Sequence, residues 1–520
     1  MGHEPTRITM FIKVHSAALL GVDAIPISVE ITIGRGSKFF LVGLPDNAVK
    51  ESAQRIFSVF QNTGYHWPGQ RITINLAPAD IRKEGAAYDL PMAIGILAAA
   101  GQISGTELEE TMIMGELSLD GSLQPIKGVL PMAIQAKKMG LKKFIVPDEN
   151  AREASVIDGL EIYGAKNFEE VCDFLRYGTG LNRVYESADE IFKEPEAEGP
   201  DFAEVKGQYN IKRALEIAAA GGHNVLLIGP PGAGKTMLAK RMPSILPPLS
   251  LEEALETTKI HSVAGKMGRK KNLITRRPFR APHHSVSDVA LVGGGSYPQP
   301  GEISLAHNGV LFLDELPEFK RQVLEVMRQP MEDRVVTISR AKFTVDYPAG
   351  FMLVASMNPC PCGYYNHPEK PCSCDRGQVD RYLNRISGPL LDRIDLHVEV
   401  TPVAFDTLNS KGEEEKSSQI RERVSMAREV QKNRFQEDGI FANAQMQPRL
   451  IRNHCKLDQN SQEMLKQAME RLGLSARAYD RIKKVGRTIA DLEGSPEIKA
   501  EHIAEAIQYR TLDKANWQLA

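Results

Sequence analysis

The sequence predicts a multidomain α/β protein whose central domain binds nucleotide phosphates. At 520 residues the chain is too long for one hydrophobic core, so about two to four domains are expected. The segment Gly229-Pro-Pro-Gly-Ala-Gly-Lys-Thr236 fits the pattern G-x-x-x-x-G-K-[ST]. It lies between a strand-like run over residues 224–228 and a helical run that begins at Met237. This strand–loop–helix order is the setting that the motif requires.

The predicted phosphate-binding loop comprises Gly229, Pro230, Pro231, Gly232, Ala233, Gly234, Lys235 and Thr236. Its glycines allow backbone N–H groups to turn toward the phosphates, and the N-terminus of the following helix adds positive potential. The ammonium of Lys235 would reach the β- and γ-phosphates, and the Thr236 hydroxyl would hold Mg²⁺. We therefore expect ATP with Mg²⁺ as the ligand.

A second motif, Gly309-Val-Leu-Phe-Leu-Asp-Glu315, is a short apolar strand that ends in two carboxylates. Asp314 would hold Mg²⁺ through water, and Glu315 would orient and deprotonate the attacking water. A buried strand with a polar end is the alternative interpretation. The order of the two motifs along the chain favours a nucleotide hydrolase.

Bulk composition bounds the class of protein. The formal net charge is −2, so any surface that binds nucleic acid must be local. No run approaches the ~18 apolar residues of a membrane span, and residues 1–7 lack the order of a signal peptide. Six cysteines do not make a disulfide scaffold in a chain of this length. We expect a cytoplasmic protein with no membrane partner.

Composition and periodicity divide the chain into four segments. Residues 1–177 alternate strand-like and helical runs, an α+β pattern. Residues 178–201 are acidic and contain proline, as linkers do. Residues 202–402 hold the nucleotide motifs, and residues 403–520 are strongly helical. Within the first segment the patterns predict strands over 27–33, 71–76 and 143–146, and helices over 89–100 and 131–139.

Further residues complete an ATPase site of the kind found in rings. Asn358 follows a predicted strand and would help to place the attacking water. An arginine from a neighbouring subunit can stabilise charge on the transferring phosphoryl group, and Arg393 or nearby Arg385 would supply it. Arg477 opens a predicted helix and would contact the γ-phosphate of its own subunit. A strand-end turn for Asn358 and surface salt bridges for the arginines are the alternatives.

These residues in this order resemble the AAA+ ATPases of the magnesium-chelatase-like group. Three further segments resemble the bacterial YifB/ComM family: Arg280-Ala-Pro-His-His-Ser285, residues 293–304 and residues 313–319. The resemblance covers essentially the whole chain. It implies a hexamer with ATP between subunits, an AAA+ P-loop α/β domain over residues 202–402, and a C-terminal helical lid of the magnesium-chelatase type within residues 403–520.

Lys235 and Asp314 lie 79 positions apart (314 − 235), which leaves room for an extra element. In the resembling family a hairpin interrupts the second helix and points into the ring. Residues 290–303, with Tyr297 at the tip, would suit that hairpin. Residues 334–345 alternate like a second hairpin, with Arg340 and Lys342 near its turn.

The stretch from Arg269 to Arg280 carries six positive residues, no acids and one aromatic residue. In a near-neutral protein this is a local asymmetry. Several copies around a ring would make a positive surface that can follow a DNA backbone, with an affinity that falls steeply with salt. A solvated loop, or one that packs on acidic patches of the next subunit, is the alternative.

Four cysteines fall within residues 359–375, in the pattern C-x-C-x₉-C-x-C: Cys360, Cys362, Cys372 and Cys374. Prolines and a glycine make this a loop that cannot build its own core. Four thiolates around Zn²⁺ would stabilise it, and His367 could replace one of them. Free thiols or a redox pair remain the alternatives. Cys172 and Cys455 are predicted to be plain buried residues.

The N-terminal segment resembles the Lon-protease domain, which has a ribosomal-S5-like α+β fold. Residues 80–93 resemble the segment that carries the protease serine, and the matching position here is Ala87. Residues 125–134 resemble the segment that carries the protease lysine, and the match is Met132. Neither side chain can act as nucleophile or base, so the resemblance implies a pseudo-protease that serves as a scaffold or DNA-facing platform. Arg82 and Lys83 would form a charged edge or a solvated face.

Three functions are compatible with these features. The resemblance favours a ComM-like branch-migration helicase: a hexameric ATPase that moves single-stranded or branched DNA during recombination of imported DNA in natural transformation. A magnesium-chelatase-type motor subunit is the second, although by family resemblance chelatase motors lack a fused Lon-like domain. Protein remodelling is the third, because Tyr297 could grip a polypeptide as readily as DNA.

Overall fold

The chain folds into two compact units, each with its own sheet. The computed structural model describes residues 11–193, 199–268, 272–295, 297–340, 343–365, 367, 369–403 and 414–510. The first unit comprises residues 1–195 and 251–275, and the second comprises residues 196–250 and 276–520. Residues 251–275 lie between the two nucleotide motifs in the sequence and yet belong to the first unit.

The first unit is built on a mixed eight-stranded sheet in the order β10-β9-β8-β5-β1-β2-β4-β3. The long strands β1 and β2 pair antiparallel, as do β2 and β4, whereas β5, β8 and β9 pair in parallel. A separate short ladder joins β6 to β7. The strands are β1 (Phe11–Leu20), β2 (Asp23–Gly34), β3 (Phe39–Val42), β4 (Arg71–Ala77), β5 (Thr111–Ile113), β6 (Glu116–Leu117), β7 (Leu123–Gln124), β8 (Lys143–Pro147), β9 (Glu161–Ala165) and β10 (Arg183–Val184).

The helices of the first unit cover this sheet. Every residue of α2 is buried, because after its first residue, Asp89, the helix is apolar on all sides and so belongs in a core. A Cβ at Gly95 would lie 2.3 Å from Ile31 Cδ1, so glycine lets α2 approach β2 closely. The helices are α1 (Asn47–Asn62), α2 (Asp89–Ala99), α3 (Val129–Lys138), α4 (Asp148–Ala154), α5 (Phe168–Tyr177) and α6 (Ala188–Lys193). The three strands and two helices predicted for this segment are confirmed.

The second unit contains a parallel five-stranded sheet in the order β12-β15-β18-β11-β19. The sequence runs through it out of order, so that β11 lies between β18 and β19. Loops that follow the central strands therefore meet at one edge of the sheet, where open α/β sheets bind ligands. The strands are β11 (Val225–Ile228), β12 (Phe279–Arg280), β15 (Val310–Leu313), β18 (Met352–Met357) and β19 (Leu396–Glu399).

Two hairpins interrupt this second unit. One joins β13 (Gly293–Gly294) to β14 (Gln299–Pro300), and the other joins β16 (Val335–Arg340) to β17 (Phe343–Pro348). The buried Tyr347 hydroxyl on β17 donates a hydrogen bond to the Pro298 carbonyl (2.7 Å), which fastens the hairpins to each other. Both segments therefore form the hairpins that the sequence predicts. The Arg340 side chain and Lys342 lie outside the described residues.

Helices surround the sheet and continue to the end of the second unit. The core that contains β11 and β18 extends without interruption into the helices after residue 414. The helices are α7 (Tyr209–Gly221), α8 (Lys235–Ile245), α10 (Asp288–Val292), α11 (Glu302–Leu305), α12 (Arg321–Val326), α13 (Arg328–Asp333), α14 (Arg376–Leu383), α15 (Gly388–Leu391), α16 (Ser417–Arg434), α17 (Pro448–His454), α18 (Gln459–Leu472), α19 (Ala476–Leu492) and α20 (Ala500–Gln508). Among the described residues, no helix is both long enough and apolar enough to cross a membrane.

Helix α9 (Leu251–Val263) belongs to the first unit, although it follows α8 in sequence. The backbone N–H of Gly128 donates to the Ser262 carbonyl (3.2 Å), and the Ser262 hydroxyl donates to the buried carboxylate of Glu153. Lys259 forms an ion pair with Asp23 (2.9 Å). These contacts fasten α9 to α3, to α4 and to the turn between β1 and β2.

A buried ion cluster connects β19 to α19 in the second unit. Asp395 is fully buried, pairs with Arg481 of α19 and accepts the backbone N–H of Asn224 (3.0 Å). The Nδ1 atom of His223 lies 3.6 Å from the same carboxylate. Burial alone would raise the pKa of Asp395, but Arg481 and His223 hold it well below its usual range.

Candidate functional site

The phosphate-binding loop occupies the turn between β11 and α8. Strand β11 ends at Ile228, and α8 begins at Lys235. Gly234 has φ +89°, a left-handed conformation that favours glycine. A Cβ at Gly229 would lie 2.2 Å from the Val400 carbonyl oxygen, so the chain that follows β19 leaves no room for a side chain there. Both glycines are therefore required by the shape of the loop.

The Lys235 ammonium lies inside this loop and is largely buried. It donates hydrogen bonds to the carbonyl oxygens of Gly229 (2.7 Å) and Pro230 (2.9 Å) and to Asn358 Oδ1 (3.1 Å). Burial lowers the pKa of Lys235, while Asp314 and Glu315 act in the opposite direction. The structure thus brings together Lys235 and Asn358, residues 123 positions apart.

Asp314, at the end of β15, meets the hydroxyls of two neighbouring elements. Thr236 Oγ1 donates to Asp314 Oδ2 (2.7 Å), and Ser356 Oγ on β18 donates to Asp314 Oδ1. A hydroxyl and a carboxylate at this separation are the pair that holds Mg²⁺ in P-loop nucleotide hydrolases. Sequence reasoning missed Ser356. Its signal was a polar residue two positions before Asn358, inside a strand that is otherwise apolar.

Glu315 differs from Asp314 in both backbone and exposure. Its φ is +55°, an uncommon conformation for a residue other than glycine, and such backbone costs ~1 kcal/mol or more. The side chain is 59% exposed and lies 3.6 Å from Nδ1 of His284. The Glu315 carboxylate is therefore accessible to water on a left-handed turn. His284 is a second neighbour that sequence reasoning did not assign to the site.

The three candidate arginines have different surroundings. Arg393 is buried, donates to the Pro389 carbonyl (2.7 Å) and pairs with Glu332 (2.8 Å). The Arg385 side chain is 54% exposed and contacts both carboxylate oxygens of Glu318 at 2.9 Å. Arg477 lies in the first turn of α19 and is exposed.

The four cysteines of the loop after β18 converge on one point. The Sγ–Sγ distances are 3.4 Å for Cys360–Cys362, 3.7 Å for Cys360–Cys372 and 3.5 Å for Cys362–Cys372. Cys374 Sγ accepts the backbone N–H of Cys362 (3.4 Å), and all four sulfur atoms lie within 4.8 Å of one another. His367 is turned into its own loop, where Nδ1 accepts two backbone N–H groups. Cys172 and Cys455 are buried, as predicted.

The basic stretch is divided between different environments. Residues 269–271 lie outside the described residues. Arg280 forms a two-pronged ion pair with Glu302 (2.6 and 2.8 Å), and Arg277 donates to the carbonyl oxygens of Pro247 (2.6 Å) and Asn308 (2.8 Å). The guanidinium groups of Arg277 and Arg280 are therefore engaged in contacts within the second unit.

The expectation of a surface role for Lys83 is wrong. Lys83 is fully buried, and its ammonium donates to the carbonyl oxygens of Ile81 (2.7 Å) and Pro78. Burial lowers its pKa. Ala87 lies in a short 3₁₀ turn, and Met132 lies in α3 with its side chain buried. At both positions the structure therefore presents a side chain that cannot act as nucleophile or base.

Comparison with family models matches most of the chain. A model described as magnesium chelatase, subunit ChlI, matches residues 201–408. Models described as subunit ChlI of Mg-chelatase and as magnesium chelatase, subunit ChlI C-terminal, match residues 28–150 and 414–510. The first and third of these matches contain the phosphate-binding loop and Arg477, respectively.

The chain is similar over nearly its full length to bacterial proteins. It is 45% identical to the uncharacterised protein YifB of Salmonella typhimurium over 505 residues, 96% of this chain and 97% of the relative. It is also 45% identical to the competence protein ComM of Haemophilus influenzae over 506 residues, with the same coverage. A shorter segment of 126 residues is 37% identical to Lon protease 2 of Bacillus subtilis, covering 24% of this chain and 22% of that protein.

Proposed function

Because the chain belongs to the magnesium-chelatase-like YifB/ComM family of AAA+ ATPases, we propose that it is an ATP-hydrolysing ring motor acting on DNA. The family implies ATP and Mg²⁺ as ligands. The observation that carries the proposal is the meeting of Lys235, Thr236, Asp314 and Asn358 at one edge of the parallel sheet. These side chains come from the three segments that follow β11, β15 and β18. A site that binds both phosphates and Mg²⁺ needs an ammonium, a hydroxyl and a carboxylate close together, and these segments supply them.

In the proposed reaction the chain's own groups divide the work. Lys235 neutralises the β- and γ-phosphates, and Thr236 and Asp314 would hold Mg²⁺, which would offset negative charge on the phosphate oxygens. Glu315, on its exposed turn, accepts a proton from the attacking water while Asn358 orients that water. Arg477 and an arginine of the next subunit stabilise the charge that develops on the γ-phosphoryl group. Chemistry of this kind is almost entirely positioning and electrostatics.

The DNA part of the proposal comes from the relative named competence protein ComM. By that likeness we propose a homo-hexamer in the cytoplasm that drives branch migration of single-stranded or branched DNA during uptake and recombination of foreign DNA. Two hairpins of the second unit are inserted in sequence between strands of its five-stranded sheet. We propose that these hairpins contact the DNA. A protein surface that binds the DNA backbone through positive charge loses affinity as the salt concentration rises, so we expect DNA binding to weaken with salt.

The test is ATP hydrolysis by the full chain without DNA, with single-stranded DNA and with four-way branched DNA, at two salt concentrations. Lys235→Ala is the blank. Salt-sensitive stimulation by DNA is expected, followed by strand displacement on the branched substrate. Hydrolysis that is indifferent to every DNA would overturn the DNA motor. It would favour a chelatase-type motor, the activity for which the matching family models are named, or a protein-remodelling ATPase.

A further inference from the structure

The loop that follows β18 collects four sulfur atoms at the spacing of a metal site. A Zn–S bond of about 2.3 Å places neighbouring sulfurs of a tetrahedron about 3.8 Å apart. The Sγ–Sγ distances of 3.4, 3.5 and 3.7 Å among Cys360, Cys362 and Cys372 approach that value. Cys374 completes the group within 4.8 Å. The cluster therefore offers one ligand atom to each corner of a four-coordinate ion.

The described part of the loop between β18 and α14 is not stabilised by regular secondary structure. Between the end of β18 at Met357 and the start of α14 at Arg376, the described residues form neither helix nor strand. Three prolines among the described residues of this interval lack a backbone N–H and disfavour regular structure: Pro359, Pro361 and Pro371. A segment with this composition cannot bury a core of its own. A bound ion supplies folding free energy to such segments directly.

The same loop packs against the phosphate-binding loop. Gly363 has φ +86°, and a Cβ at this position would lie 2.5 Å from Pro231 Cδ. The backbone N–H of Gly363 donates to the Cys360 carbonyl (3.0 Å), so the turn at the first cysteine pair brings Gly363 to Pro231. Upstream, the backbone N–H of Gly229 donates to the Met357 carbonyl (3.2 Å). The cysteine loop thus contacts the phosphate-binding loop at Pro231, and β18, the strand before it, contacts that loop at Gly229.

We propose that Cys360, Cys362, Cys372 and Cys374 bind one Zn²⁺ through four thiolates, and that this ion holds Gly363 against Pro231 so that tight nucleotide binding requires zinc. The metal site stands on the cysteine geometry alone. The coupling to nucleotide rests on the proposed ATP site, so the two parts are tested separately.

The first experiment counts zinc per chain in the full-length protein purified without chelator. One equivalent is expected, and Cys372→Ser with Cys374→Ser is expected to lose it. Cys455→Ala removes a cysteine buried elsewhere and is expected to retain one equivalent. Wild-type protein that contains no zinc, takes up none on dialysis, and has four freely reactive thiols while folded would overturn the metal site.

The second experiment measures the affinity for a fluorescent ATP analogue in zinc-loaded and zinc-stripped wild type and in Gly363→Ala. Stripping is expected to weaken binding at least about tenfold, and restored zinc is expected to reverse the loss. Gly363→Ala is expected to weaken binding similarly while it keeps its zinc. Gly439→Ala is the matched control, because Gly439 has φ +67° and no atom within 4 Å of an added Cβ.

The outcomes separate the two claims. Equal affinities with and without zinc would overturn the coupling and leave the metal count untouched. A zinc-loaded wild type that binds no ATP analogue would overturn the coupling and the proposed function together, while the zinc content of the cysteine variants would still decide the metal site.

Discussion

At the scale of single residues, the site depends on short polar side chains placed at strand ends. Asp314 and Asn358 directly follow two adjacent parallel strands, and Ser356 is the second-last residue of one of them. Thr236 lies in the first turn of the helix that follows a third strand. Their hydrogen bonds satisfy buried or half-buried polar atoms within the protein. Glu315 is the exception, because its carboxylate is exposed on a left-handed turn. This contrast in exposure is the reason we propose Asp314 for Mg²⁺ binding and Glu315 for proton transfer.

Glu315→Gln is expected to lower the rate of ATP hydrolysis by about 10²- to 10⁴-fold, the usual contribution of a positioned base. Nucleotide affinity should change little, because the amide keeps the shape of the side chain and Lys235 keeps its contacts. Turnover and analogue binding measured on the same preparation check this. Turnover within a few-fold of wild type would remove Glu315 from the mechanism.

Ser356→Ala is expected to raise the Mg²⁺ concentration that gives half-maximal ATP hydrolysis. The lost hydrogen bond to Asp314 contributes about 1 kcal/mol, so the shift should be roughly fivefold. Because the Ser356 hydroxyl donates its hydrogen bond to the Asp314 carboxylate, we expect the rate at saturating Mg²⁺ to approach that of wild type. A Mg²⁺ titration of the steady-state rate is the measurement. A reduced rate with an unchanged Mg²⁺ requirement would contradict a positioning role.

At the scale of elements, buried ion pairs in the second unit connect the sheet with the C-terminal helices and those helices with one another. Asp395 connects β19 with α19 and with the turn before β11. Further along α19, Asp491 accepts two hydrogen bonds from Arg434 of α16 (2.5 and 2.8 Å). These pairs fix how the helices lie on the edge of the sheet. Arg477 lies on the same α19, so its position relative to the phosphate-binding loop depends on them.

Asp395→Asn is expected to lower the free energy of unfolding at pH 7 by about 3 kcal/mol, because it leaves Arg481 without its buried partner. The pKa of Asp395 is depressed in the folded protein, so its stabilisation is present above the unfolded pKa of about 3.9 and is lost as the pH falls below it. The difference between wild type and variant should therefore shrink in acid.

Urea unfolding at pH 7 and near pH 3 measures both effects of Asp395→Asn. Glu429→Ala removes an exposed carboxylate that pairs with Lys432 at 3.9 Å, and it should change stability by less than about 0.5 kcal/mol. A variant that matches wild type at pH 7, or a difference that grows as the pH falls, would contradict the buried pair as the cause.

At the scale of the whole molecule, the proposed hexamer requires that one subunit complete the site of the next. Arg393 is held by Glu332, a residue whose side chain is 49% exposed, whereas Arg385 is itself largely exposed. A guanidinium that acts in a neighbouring site has to exchange its internal partner for phosphate. Glu332 and Glu318 are therefore the groups that Arg393 and Arg385, respectively, would leave on assembly.

Mixing variants distinguishes an arginine that acts in the neighbouring subunit from one that acts in its own. Arg393→Ala and Lys235→Ala chains should each be inactive alone, and a 1:1 mixture should regain part of the activity. In mixed rings, an Arg393→Ala chain supplies an intact Lys235, and a neighbouring Lys235→Ala chain supplies an intact Arg393 to the same site. The same mixture made with Arg385→Ala decides between the two arginines. Mixed rings that assemble and stay inactive with both arginine variants would exclude action in trans.

The sequence by itself determined the phosphate-binding loop, the carboxylate pair, the α+β pattern of the first segment and the hairpin within residues 334–345, because each rests on local periodicity and spacing. The hairpin within residues 290–303 was expected from the family resemblance. Only the tertiary structure decided which distant residues meet. Ser356 and His284 join the site because parallel strands align in space, and Lys83 is buried because its carbonyl partners close around it. Likewise, α9 belongs to the first unit although the neighbouring elements in sequence, α8 and β12, belong to the second, because long-range packing decides which surface buries a helix.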